Sequence, residues 1–199
     1  MKKYIGTIEQ YNIWHQNAVD LLASGKIPQI NIEANQVINE GAGMNQCYWD
    51  SHLLFEMPGY FLIDNLELDT VIKSFIDGKD GILAVLKFRK QKLLDNYSDS
   101  EEVLAWHYEI NGISHLQYLY DKDVSDIVTT AIMTTGGTLW SFYDNTSAQM
   151  THEELLSFAS SAKEQDEFLW SHWGSLRNQI NACTTEQELM EIDIYSGWN

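Results

Sequence analysis

The sequence predicts an α+β fold in two parts. An N-terminal helix-plus-strands module covers residues 1–78, and in a C-terminal module over 79–199 a β-hairpin and a further strand pack on a long capped helix. Three observations predict it. Thr151 stands three residues before Glu154, the spacing of a capping box, in which the hydroxyl takes a free first-turn amide and the carboxylate reaches back. Behind it Leu155, Phe158, Ala162, Leu169, Trp173, Leu176 and Ile180 recur every three or four residues, one face of a long helix. Asn111-Gly112 separates two alternating arms, from Trp106 to Ile110 and from Ile113 to His115. This pair accepts the positive φ that a two-residue hairpin turn requires.

The remaining elements follow in order. Thr7 to Gln10 opens a helix with the stripe Ile8, Tyr11, Trp14, Ala18, Leu21 and Leu22, stopped by Gly25. Gln29 to Glu33 alternates as a short strand, Gly41-Ala42-Gly43 turns, and Cys47 to Trp49 and Leu53 to Phe55 read as strands of a meander. Pro58-Gly59 turns into a strand from Tyr60 to Ile63. Asp69 starts a short helix through Val71, Ile72, Phe75 and Ile76, and the glycine-rich stretch from Asp77 to Gly81 is the expected junction. A helix from Ile82 to about Tyr97 has the apolar face Leu83, Leu86, Leu93 and Leu94, with Lys87, Arg89, Lys90 and Lys92 on its polar side. After the hairpin, Asp123 or Ser125 caps a helix carrying Ile127, Val128, Ala131 and Ile132. Gly136-Gly137 ends it, and Thr138 to Tyr143 alternates as a strand. Thr185 and Glu188 repeat the capping box for a last short helix bearing Leu189 and Ile192.

Composition sets the function classes. The chain has 199 residues, 44% of them hydrophobic, which suits a packed core rather than disorder. Net charge is −17, from 29 acids against 12 bases. Such a surface repels phosphate, so neither nucleic acid nor an anionic membrane is an expected partner. Lys2-Lys3 has no apolar run behind it, and no stretch reaches the roughly 20 apolar residues of a membrane helix. The expectation is a soluble protein made in a reducing cytoplasm, with Cys47 and Cys183 as small buried hydrophobes.

Few motifs suggest chemistry. The six histidines show no HExxH spacing; His107 and His115 lie on the two hairpin arms, where the alternatives are a shared metal and ordinary half-buried histidine. Gly41-Ala42-Gly43 lacks the third glycine and the lysine of a phosphate loop, and no serine stands in a Gly-x-Ser-x-Gly elbow. Asp166-Glu167 reads as a solvated polar face. No catalytic residue, metal or cofactor is expected. Trp14, Trp140 and Trp173 fall on apolar stripes and read as core. Trp170 is offset from its helix face and Trp198 is next to the end; with Trp49 and Trp106 they are candidate rings for a protein partner or a glycan. Lys87, Arg89 and Lys90 are a candidate docking stripe, with a solvated helix face as the plain alternative.

Residues 82–198 carry these features in a set order. A leading helix precedes Tyr108-Glu-Ile-Asn111-Gly112, then Asp121 and Asp123 lead to Ser125 and Ile127, and Trp140 is followed by Asp144-Asn145. Thr151-His-Glu-Glu-Leu155 opens the long helix, and Leu176, Ile180, Ala182, Thr185, Leu189, Ile192-Asp193 and Gly197-Trp198 close the chain. In that order they resemble a domain of unknown function that recurs in small tailed-bacteriophage proteins encoded near tail-fibre genes. The long helix here has less arginine and alanine than that family's, and Asn199 stands where the family has proline. The resemblance implies a non-enzymatic structural protein of the tail tip, baseplate or fibre base, docking on tail-fibre or baseplate proteins or on other copies of itself. Such a protein is made in the host cytoplasm and carried in the virion tail. A tail-fibre assembly chaperone absent from the virion is the alternative, and a glycan- or receptor-binding module is the alternative of another class. The resemblance does not reach residues 1–78, expected to serve attachment or partner binding.

Overall fold

The computed structural model describes residues 1–33, 45–55 and 61–198, Glu33 and Phe61 by their backbones alone. The turns expected at Gly41–Gly43 and Pro58-Gly59, the strand start at Tyr60, and Asn199 lie outside the described residues. The fold is α+β, as the patterns predict. It divides into two compact units, Met1–Lys90 with Thr184–Leu189, and Gln91–Cys183 with Met190–Asn199.

The first unit is built on a strand that alternation did not reveal. β1 (Lys2–Thr7) lies inside an antiparallel sheet with β2 (Ile32–Glu33), β3 (Gln46–Ser51) and β4 (Phe61–Ile63), in the order β2-β3-β1-β4. This order is not the expected meander; β3 is one strand of six residues, and Leu53 to Phe55 form none. Tyr4 pairs with Trp49 and Ile5 with Tyr48. Directly opposed residues share a face and successive residues alternate, so these pairs point to opposite sides. Tyr4 and Trp49 join Trp14 and Cys47 under α1 (Ile8–Ala23), while Ile5 and Tyr48 join Val71, Phe75 and Val85 of α2 (Asn65–Ile76) and α3 (Gly81–Ser98). With both faces covered, every residue of β3 is buried, which is why it lacks an alternating pattern.

Local caps fix where these helices begin. The Thr7 hydroxyl accepts from Gln10 N–H at 3.1 Å and the Thr7 N–H donates to Gln10 Oε1 at 2.7 Å. α2 starts at Asn65, not Asp69, because Asp64 and Glu67 form a capping box. The stretch from Asp77 to Gly81 is a tight turn inside the first unit; the division between units falls at Lys90, within α3. Gln46 Oε1 accepts from Gly81 N–H at 2.9 Å, and Gln46 Nε2 donates to Asp80 Oδ1 at 2.9 Å. A Cβ on Gly81 would stand 2.4 Å from Phe75 Cε1. That glycine is there for close packing, not for a flexible linker.

The second unit contains two hairpins and the long helix. After α4 (Glu101–Leu104), β5 (Ala105–Ile110) and β6 (Ile113–Tyr118) pair through a turn with Asn111 at φ 51° and Gly112 at φ 77°, as their identities require. α5 (Asp121–Met133) starts earlier than expected; Tyr120 precedes it without a side-chain cap bond, and the acids Asp121 and Asp123 occupy its first turn. β7 (Thr138–Ser141) is paired with β8 (Ser147–Met150), a strand the sequence pattern missed. α6 (His152–Ala182) begins at the Thr151–Glu154 box, and α7 (Glu186–Glu191) follows at Thr185 and Glu188. Phe158 of α6 is fully buried, and the rings of Trp106, Tyr108, Trp140 and Phe142 lie 4.8–5.8 Å from it. The hairpins and the long helix are joined there.

Candidate functional site

Spacing along α6 builds the most distinctive surface feature of the second unit. Asp166, Trp170, Trp173 and Arg177 stand at i, i+4, i+7 and i+11, so they form one stripe down the helix. This stripe is one wall of a groove of about 700 Å³. The end of α3 and the residue after it supply Asp95 and Asp99; Tyr120 and, from the first turn of α5, Asp121 and Lys122 join them. Leu169 and Trp198, both nearly fully buried, also line it.

Trp173 is held in place from two sides. Its Nε1–H donates to Asp95 Oδ1 at 2.9 Å, and the Arg177 guanidinium carbon lies 4.8 Å from its ring centroid. Trp170 meets Trp173 edge-on at 5.5 Å and 81°, yet is 55% exposed. Four carboxylates, Asp95, Asp99, Asp121 and Asp166, face two bases, Lys122 and Arg177. Burial, then the charges of Asp121 and Glu167, raise the pKa of Asp166 above the usual carboxylate range. Asp166 is half-buried in the groove, not on the solvated face expected of it.

Trp198, which also lines the groove, packs against α6. Its indole N–H donates to Ile194 O at 3.0 Å, and the His172 ring stands edge-on to it at 4.6 Å. Gly197, at φ 84°, allows this return of the chain; a Cβ there would lie 2.9 Å from His172 Cε1.

The other expected site residues fall elsewhere. Trp198 is 4% exposed and Trp49 fully buried, so neither is a surface anchor. Trp49 belongs to the sheet core beneath α1, and Trp106 is half-buried, stacked on Phe158 at 5.6 Å and 9°. Arg89 points inward, donating through Nε to Glu67 Oε1 at 2.6 Å, and through Nη2 to Glu67 Oε2 at 3.2 Å and Leu62 O at 2.7 Å. Lys90 Nζ donates to Leu189 O, and the charge of Lys87 acts on Glu188. The basic stripe thus serves the first unit itself. Of the proposed rings, only Trp170 is both exposed and in the groove.

The histidines of the hairpin do not share a site. Tyr108 opposes His115 and His107 opposes Leu116, so the two imidazoles project from opposite faces. His115 Nδ1 lies 2.7 Å from Thr146 Oγ1, whose hydroxyl donates to Asp144 Oδ1. A hydroxyl that donates to Asp144 accepts from the imidazole, so Nδ1 of His115 carries the proton in this arrangement. The chain of three ties β6 to the turn of the second hairpin. Among the described residues no group of three or more His, Cys, Asp or Glu is placed to hold a metal ion, and no helix is long and apolar enough to cross a membrane.

No protein-family model, no curated protein and no solved structure matches this chain. No role therefore passes to these residues from a relative.

Proposed function

We propose that this chain is a non-enzymatic bacteriophage tail-associated protein that works by docking on a fibre or baseplate protein through the groove of its second unit. The observation that supports docking is Trp170. A large ring left 55% exposed beside a second, rigidly held indole is the kind of anchor that protein interfaces use. The assignment to a phage tail draws on the ordered features of residues 82–198. The excess of acid elsewhere on the surface opposes self-association.

The test is mass spectrometry of purified virions, followed by photo-crosslinking from position 170. A fixed ratio to the major tail protein, with crosslinks to a fibre or baseplate protein, supports a virion component. Absence from virions, with crosslinks to a fibre protein in infected cells, assigns an assembly chaperone instead. Absence from both rejects the tail reading.

A second reading has its own observation. An exposed indole with Asp99 and Asp166 nearby is a platform on which a sugar ring stacks while carboxylates accept from its hydroxyls. Glycan-array binding that disappears on Trp170→Ala would favour it.

A further inference from the structure

We propose that the groove receives a lysine- or arginine-bearing segment of the docking partner, with the aliphatic stem on Trp170 and the cation at Asp166 and Asp121. The inference rests on the docking reading and names the chemistry of the partner. Charge complementarity is the first support. The groove has apolar walls and a surplus of carboxylates over bases, within a chain of net charge −17. A cationic segment is drawn toward it and an acidic one repelled.

The second support is a contact already made inside the groove. Arg177 holds its guanidinium over Trp173 at 4.8 Å, with Asp95 fixing the indole from its N–H side. One helical turn away, Trp170 has an acid, Asp166, four residues earlier on the same stripe, but among the described residues no cation stands over its ring. Among the described residues Asp166 has no hydrogen-bond or ion-pair partner. Its neighbours in charge are Asp121 and Glu167, both repulsive. A cation placed there relieves that repulsion and supplies the missing partner to the ring. Lysine and arginine are the side chains that offer an apolar stem and a charged tip together.

The test is a titration of the full chain, labelled with ¹⁵N, that follows the indole N–H signals of Trp170 and Trp173. The probes are acetyl-Gly-Lys-Leu-Lys-Gly-amide, its arginine version, and versions carrying acetyl-lysine or glutamate. The cationic peptides should move the Trp170 signal saturably, and the acetyl-lysine peptide should bind about tenfold more weakly. The preference should vanish in the Asp166→Asn, Asp121→Asn double variant, whose spectrum reports its folding directly. Equal binding of the acetyl-lysine peptide, stronger binding of the glutamate peptide, or no movement by any peptide overturns the inference. So does saturation of the Trp170 signal by a neutral oligosaccharide that the cationic peptides do not match. The crosslinked segment separates this from docking itself. A fibre or baseplate segment without lysine or arginine at the crosslink leaves docking standing and sinks the cation. Cationic peptide binding without any tail crosslink sinks docking and keeps the groove's chemistry.

Discussion

Phe158 and Trp170 are twelve positions apart on the same helix and show what burial does to an aromatic ring. Phe158 is surrounded by four rings and reaches no solvent. Phe158→Ala should cost about 3–5 kcal/mol in urea unfolding, because the ring's contacts are lost and the cavity cannot fully collapse. Trp170→Ala, at a half-exposed position, should change stability by less than about 0.5 kcal/mol while abolishing the docking proposed for it, read as loss of the crosslinks. Arg89 gives a third case. Burial of Glu67 opposes its ionisation, but the hydrogen bonds from Arg89 and from the Asp64 amide outweigh this and lower its pKa. Arg89→Met should cost about 1–2 kcal/mol at neutral pH, less than a fully buried pair because the guanidinium side chain is 39% exposed. The sign with pH follows from the lowered value. The pair contributes fully above the ordinary glutamate value of 4.5 and is lost as pH falls through the folded one. Unfolding of parent and variant should therefore converge in acid; a constant gap would show that the loss is packing, not charge.

At the scale of elements, caps and turns are local, and those of α1, α6 and α7 were legible as such, though the equally local Asp64–Glu67 box of α2 was passed over. Thr151 takes the Glu154 amide at 3.2 Å, and Thr151 N–H donates to Glu154 Oε2 at 2.7 Å. Thr151→Ala should lower stability by about 1 kcal/mol, read as a fall in melting temperature of a few degrees. A larger loss would mean that the cap also orders β8, which ends at the preceding residue. β1 and β3 were not legible in the same way. Their residues face hydrophobic layers on both sides, so no alternation marks them, and only the pairing of Tyr4 with Trp49 and Ile5 with Tyr48 reveals the register. β8 was missed for another reason. Ser147 to Gln149 carry no large apolar side chain, and they become a strand by pairing with β7.

Across the whole molecule the dominant physical fact is charge. With 29 acids against 12 bases, self-repulsion opposes the compact state at neutral pH. Raising ionic strength from low to physiological should raise the melting temperature, since exposed charges are screened first. A flat response in a salt titration would mean that the acids are already paired or dispersed beyond a Debye length. Asp166 sharpens this locally. Its folded pKa is raised, so its penalty is present at neutral pH and relieved as pH falls through that value. The same repulsion that weakens the fold there is what a cationic partner would remove.

The sequence by itself determined the α+β class, the caps of α1, α6 and α7, the Asn111-Gly112 hairpin and the long helix, because each depends on residues within a few positions of one another. It also placed Trp170 off the apolar face of its helix. The tertiary structure alone decided that Trp49 and Trp198 are buried while Trp140 and Trp173, read as core, are only half-buried, that Arg89 bonds Glu67 and Leu62, and that Asp95, Asp121, Asp166 and Trp173 line one groove. Those outcomes depend on residues tens of positions apart, and periodicity carries no information about which distant faces meet.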